Sequence, residues 1–176
     1  MTYDEFAQAL GFSDYEALGR ASEVIITEGD IYWFVTRLPD GRWAAWDDAE
    51  IALDRCEIFP TCEEAVRHHV HAYLDASANW EEEVDPSWDS SGTIAVSWST
   101  TVTVDGVEYS VRVDEFEPEN VPEGIGGYAY TVTYGDDGNY LPGGENMDAA
   151  SRFDAETQAA ALIAREVAKS IARDRA

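Results

Sequence analysis

With 176 residues, 45% hydrophobic and 12% aromatic content, the chain has enough apolar mass for a core in one domain or two small ones, which excludes wholesale disorder. Its 36 acids against 11 bases give a net charge of −25, which disfavours nucleic acid and anionic membranes as direct partners and favours basic ones. Apolar runs fall far short of the roughly 20 residues that span a bilayer, and "MTYDEFAQAL" lacks the basic start of a signal peptide, so a cytoplasmic protein is expected.

Thr2 to Glu5 and Ser13 to Glu16 both read S/T-x-x-E, the spacing of a capping box, and predict two short helices, "YDEFAQALG" and "DYEALGRAS". The β-branched and aromatic runs "EVIIT", "IYWFVTRL" and "RWAAW" follow, separated by Glu28-Gly29-Asp30 and Pro39-Asp40-Gly41, and predict a three-stranded meander. "CEIF" adds a short strand. Thr61 to Glu64 then repeats the capping spacing before "CEEAVRHHVHAYLDAS", where Cys62, Val66, Val70, Tyr73 and Leu74 recur near the helical period.

"ANWEEEVDPSWDSSG" is polar and carries Pro86 and Gly92, which predicts an acidic linker or long loop over residues 79–92. The next signal is a hairpin, "TIAVSWSTTVTV", Asp105-Gly106, "VEYSVRV", whose two-residue loop suits a type I′ turn. Its alternation places Trp98, Val102, Val104, Val107, Tyr109, Val111 and Val113 on a core face, and Ser97, Ser99, Thr101, Thr103, Glu108, Ser110, Arg112 and Asp114 on a solvated one. "YAYTVTY" gives a further strand. "ETQAAALIAREVAKSIA", capped by Asp154, puts Ala160, Ile163, Val167 and Ile171 on one helical stripe. The fold class expected is α+β: two N-terminal helices, then antiparallel meanders each followed by an amphipathic helix, in halves 1–78 and 93–176 that pack separately or as one unit.

No stretch of the sequence announces a reaction. His68, His69 and His71 with Cys56 and Cys62 are the soft-metal candidates, but Cys62 and His69 are separated by about 10 Å along a helix axis, so surface histidines and one small buried thiol are the expectation, with no metal or cofactor. Without an export signal the two cysteines are expected as reduced thiols. Glu63 and Glu64 oppose a nucleophilic thiolate at Cys62. No G-x-S-x-G, H-E-x-x-H or phosphate-binding glycine loop occurs, and 36 acids make close carboxylate pairs inevitable and therefore uninformative. A protein that works by binding is expected rather than an enzyme.

The charge is unevenly placed. Residues 68–151 hold 17 acids and one base, Arg112, whereas residues 152–176 hold 4 acids and 5 bases. The stretch "RVDEFEPENVPEG" bears Asp114, Glu115, Glu117, Glu119 and Glu123, and a strand end or bulge at Asp114 and Glu115 would return Phe116 to the core and leave Glu115, Glu117 and Glu119 as an outward row. Alternate residues of a strand are spaced about 6.6 to 6.8 Å apart, against one phosphate per roughly 3.4 Å of duplex axis on each strand, a rise that the winding backbone exceeds between neighbouring phosphates. Glu81, Glu82, Glu83 and Asp85, with those carboxylates and Trp80 and Trp88 as contact anchors, form the expected partner-binding surface.

In composition alone the chain resembles the small acidic inhibitors that mobile elements use against host restriction or RNA-guided defence, the anti-restriction and anti-CRISPR type. That resemblance implies a DNA mimic that blocks a basic nucleic-acid-binding protein, a nuclease or defence complex. An acidic immunity protein for a basic nuclease toxin, and a small enzyme or ligand-binding protein from a salt-adapted or GC-rich host, share the composition. A homodimer is a third expectation, paired through the final helix at Ala160, Ala164, Ala168 and Arg165.

Overall fold

The computed structural model describes residues 1–121, 123–124 and 126–175. It is an α+β protein with two antiparallel sheets and four α-helices among the described residues, and its chain forms two compact units.

The first unit takes residues 1–69, 103–106 and 164–176. Helix α1 (Tyr3–Ala9) opens on a complete capping box: the Thr2 hydroxyl accepts from the Glu5 amide and the Glu5 carboxylate accepts from the Thr2 amide, satisfying two orphan donors. Helix α2 (Tyr15–Arg20) starts one residue later than the Ser13 box predicts. Asp14 is the cap, accepting from the Ala17 amide at 2.8 Å, and Ser13 instead donates to the Asp14 carboxylate.

Strands β1 (Ser22–Glu28), β2 (Ile31–Arg37), β3 (Trp43–Asp47) and β4 (Glu57–Phe59) then pair antiparallel in chain order. The register of β1 shifts between Val24 and Ile26, and this bulge lets consecutive residues Ile25 and Ile26 both be buried while Val24 is exposed. Phe6, Ala7, Leu18, Leu38, Ala44 and Trp46 form the core beneath the two short helices. Phe34 stacks on Trp46 with ring centroids 4.3 Å apart.

A relay of hydroxyls runs through that core. The Trp46 indole donates to Thr36 Oγ1 at 2.9 Å, and Ser22 Oγ donates to the Leu18 carbonyl. Thr36 must therefore supply the proton in its 2.6 Å contact with Ser22. Helix α3 (Cys62–Asp75) buries Ala65, Val66, Val70 and Leu74 as its periodicity predicts, and it also buries His69.

The second unit takes residues 70–102 and 107–163. Strands β5 (Glu81–Val84), β6 (Ile94–Val104), β7 (Val107–Phe116), β8 (Tyr128–Tyr134), β9 (Asn139–Tyr140) and β10 (Met147–Ala149) make one sheet in the order β10-β8-β7-β6-β5, with β9 also paired to β8. Asp105 and Gly106 both have positive φ, as the type I′ turn between β6 and β7 demands. Val102, Val104, Tyr109, Val111 and Val113 are buried, whereas Val107 at the strand start is exposed. Helix α4 (Arg152–Asp174) buries Ala160, Ile163, Val167 and Ile171 as expected, although Ser151, not Asp154, caps it: Ser151 Oγ accepts from the Asp154 amide.

Three expectations are corrected by this architecture. Residues 79–92, expected as an acidic linker or long loop, are loop only from Asp85 onward, because a 3-10 turn at Ser77–Asn79 leads into β5, which pairs with β6 from Glu81 opposite Ser99 to Val84 opposite Val96. The halves 1–78 and 93–176 are not the two units, since the hairpin tip and the last turns of α4 belong to the first. Ala160 and Ala164 are fully buried within the chain, which removes them from any pairing surface between copies.

Candidate functional site

The polar face of the six-stranded sheet carries the candidate site. Strand alternation places Ser97, Ser99 and Thr101 of β6 on the face opposite Val102 and Val104, and Ser110, Arg112 and Asp114 of β7 opposite Tyr109, Val111 and Val113. Cross-strand partners share a face, so Glu81 opposite Ser99 and Glu83 opposite Ser97 extend it on one side, and Thr133 opposite Ser110 and Thr131 opposite Arg112 on the other.

Asp114 was expected on a solvated surface and is 4% exposed. Its carboxylate accepts from Ser97 Oγ at 2.7 Å and from Arg112 Nε at 3.0 Å. Burial pushes the carboxyl up from its ordinary range, against the pull of the Ser97 hydroxyl and the Arg112 guanidinium. Arg112, two residues away on the same face, also lies over the Trp88 ring, 4.6 Å from its centroid. Asp89, next to that tryptophan, ties its own segment to the start of β6 by accepting from the Thr93 and Ile94 amides.

The expected outward row is not built. β7 runs through Asp114 and Glu115 to Phe116 in unbroken register, Asp114 opposite Ala129 and Glu115 opposite Tyr128, with no bulge. Glu115 is half-buried and accepts from the Tyr128 hydroxyl. Glu117 is half-buried, and its amide donates to the Thr93 carbonyl. Pro118–Asn120 then coils into a 3-10 turn, so Glu119 is exposed but leaves the extended line. Phe116 is half-buried.

Glu81, Glu82 and Glu83 are exposed on edge strand β5, and Asp85 is exposed with φ of 48°. The Asp85 amide reaches the Ala95 carbonyl and the Glu117 amide reaches the Thr93 carbonyl, so the two acidic segments flank the beginning of β6. Strand spacing sets them about 10 Å apart. Trp88 is 47% exposed. Trp80 is half-buried, its indole donating to the Leu74 carbonyl, with Arg152 5.0 Å from its ring centroid and equally close to Trp98.

By unit the bases, rather than the acids, are unevenly divided, for a net of −9 in the first unit against −16 in the second. The second unit holds 18 acids and two bases, Arg112 and Arg152, a net of −16. Arg112 is engaged by Asp114 and Trp88, and Arg152 donates to Glu156 between Trp80 and Trp98. Glu156 is itself buried, and desolvation pushes its carboxyl up despite Arg152.

The soft-metal candidates separate. His69 Nε2 donates to the Phe34 carbonyl at 2.9 Å, and burial pushes its ring down to about 4, so this histidine belongs to the core rather than the surface. Cys56 and Cys62 are free, half-buried thiols, each pushed up to about 11 by burial. Among the described residues no group of three or more His, Cys, Asp and Glu side chains is arranged to hold a metal ion, and no helix is long and apolar enough to cross a membrane.

Sequence reasoning missed the network of buried Ser97 and Asp114 with half-buried Arg112. Its one available signal was that Arg112, the single cation of residues 68–151, stands at i, i+2 from a carboxylate on a strand, which places both on one face. No protein-family model matches the chain, and comparison with curated proteins and with solved structures finds no match either.

Proposed function

We propose that the protein acts by binding, as an acidic inhibitor that occupies the basic site of a nucleic-acid-binding protein. The observation that carries this reading is the second unit's charge: 18 carboxylates face two arginines, each held by a carboxylate and by indole rings. A basic cleft meeting this surface gains ion pairs and releases its counterions, with carboxylates outnumbering arginines by 18 to two.

The contact surface differs from a single row of carboxylates. Glu81, Glu82, Glu83 and Asp85 on one side of β6, and Glu117 and Glu119 on the other, make a two-sided array, with exposed Trp88, packed on Arg112, as an aromatic anchor. Asp114 is withdrawn from it into the sheet face.

The test is capture of host proteins by the full chain at about 50 mM and about 500 mM salt, with duplex DNA as competitor. The expected outcome is retention of a basic nucleic-acid-binding protein at low salt, its release by high salt or DNA, and its loss from a variant carrying Glu81→Lys, Glu83→Lys, Glu117→Lys and Glu119→Lys. Retention that is indifferent to both DNA and charge reversal overturns the reading. Capture of a secreted nuclease toxin would place the protein with immunity proteins, which use the same electrostatics.

A further inference from the structure

We propose that a groove on the polar face of the six-stranded sheet is a binding site for a neutral polyhydroxylated ligand, a monosaccharide or disaccharide. The groove has a volume of about 450 Å³ and lies within the second unit, lined by Ser99 and Thr101 of β6, Ser110 and Arg112 of β7, Thr133 of β8 and Glu81 of β5. That volume is the usual size of a small-molecule cleft.

Its polar groups are left open toward that space. The side-chain hydroxyls of Ser99, Thr101, Ser110 and Thr133 take no hydrogen bond among the described residues. Arg112 spends its Nε on Asp114 and one face of its guanidinium on Trp88, while its two terminal amino groups take no hydrogen bond among the described residues. The guanidinium is thus held by a buried carboxylate and an indole, and it lines the groove with two terminal donors still open. Four hydroxyls that both donate and accept, beside a preset pair of donors, match a ligand whose own groups do the same at several adjacent positions.

Charge selects within that class. A sugar phosphate or carboxylate approaching the groove enters a unit of net charge −16, and Glu81 stands on its rim. A cationic ligand meets Arg112 inside it. A neutral polyol is indifferent to both, and vicinal hydroxyls span the forked guanidinium. The site rests on the hydroxyl face and shares only Glu81, on its rim, with the acidic array proposed to hold a protein partner.

The experiment is an amide NMR titration of the full chain with a panel of neutral hexoses, pentoses and their disaccharides, alongside glucose 6-phosphate and glucosamine. Saturable shifts at Ser99, Thr101, Ser110 and Thr133 from at least one neutral sugar, with both charged sugars weaker, are expected. A double variant, Ser110→Ala with Thr133→Val, removes two open hydroxyls and should weaken that sugar by about tenfold while its remaining spectrum stays intact. Three results overturn the proposal: no neutral sugar shifts these amides, a charged sugar binds more tightly than every neutral one, or the double variant binds as well as the parent.

Discussion

Arg112 serves Asp114 from one side and Trp88 from the other: its Nε donates to the buried carboxylate at 3.0 Å while its guanidinium carbon stands 4.6 Å from the indole centroid. Removing either neighbour has a different physical cost. Trp88→Ala forfeits a partly exposed cation–π contact, worth about 1 kcal/mol. Arg112→Ala leaves Asp114 buried with only Ser97 to satisfy it and should cost more, about 2 to 3 kcal/mol. Urea denaturation of both variants checks the order, and a greater loss from Trp88→Ala would show that Arg112 does not serve the Asp114 carboxylate.

The relay through Thr36 makes a second prediction. Thr36→Val preserves shape but strands the Trp46 indole N–H, which is buried, and deprives Ser22 of its donor. An unsatisfied buried donor costs about 1 to 3 kcal/mol, so the denaturation midpoint should fall with the slope unchanged. Ser22→Ala, which keeps the indole bond, should cost less.

His69 gives the first unit a pH dependence. The ring titrates near 6.5 when unfolded and at about 4 when folded, because burial disfavours its cation. Stability from this residue is therefore full above the unfolded value and declines as pH falls through 6.5 to 4, by about 3 kcal/mol in all. In His69→Gln, which can still donate to the Phe34 carbonyl, that slope should vanish. Asp114 and Glu156 act in the opposite sense: with folded values raised, their contribution is present at low pH and lost as pH rises through those values. Comparing parent and variant from pH 7 to pH 4 isolates the histidine.

Cys56 and Cys62 should be slow toward thiol reagents. A thiol at about 11 carries roughly a hundredfold less thiolate at pH 8 than an ordinary cysteine. Reaction with a disulfide reagent should accelerate steeply from pH 8 to pH 10 and become ordinary on unfolding. Fast labelling of the native chain at pH 8 would contradict the burial that raises both groups.

Where local chemistry fixes geometry, the sequence is a good guide. The Asp105-Gly106 turn, the Thr2 to Glu5 capping box and the stripe Val66, Val70 and Leu74 all stand as their spacing predicts. Two caps fall one and three residues from the expected position, Asp14 in place of Ser13 and Ser151 in place of Asp154, because hydroxyls and carboxylates cluster at both helix starts and Asp154 instead accepts from the Ala150 amide. Strand β5 is illegible: "EEEV" has neither alternation nor β-branched residues until Val84, and its strand character comes from backbone pairing with β6. Asp114 illustrates the other limit. Alternation correctly assigns its face, but its burial comes with the Ser97 hydroxyl and with Arg112, itself packed on Trp88 of a loop, and no periodicity encodes where a loop will lie.

Every strand in both sheets is hydrogen-bonded to a neighbour in chain order or, for β8 and β10, to one a single short strand away. Such a connectivity keeps sequence separations between paired strands moderate, as between Glu115 and Tyr128 or Glu81 and Ser99, which limits the loop-closure entropy of each pairing. A chain emerging from the ribosome would meet each of β2, β3, β4, β6, β7 and β8 with its partner already made. For a protein of net charge −25, whose carboxylates repel one another in any expanded state that draws them together, short searches also limit the time over which that repulsion opposes compaction.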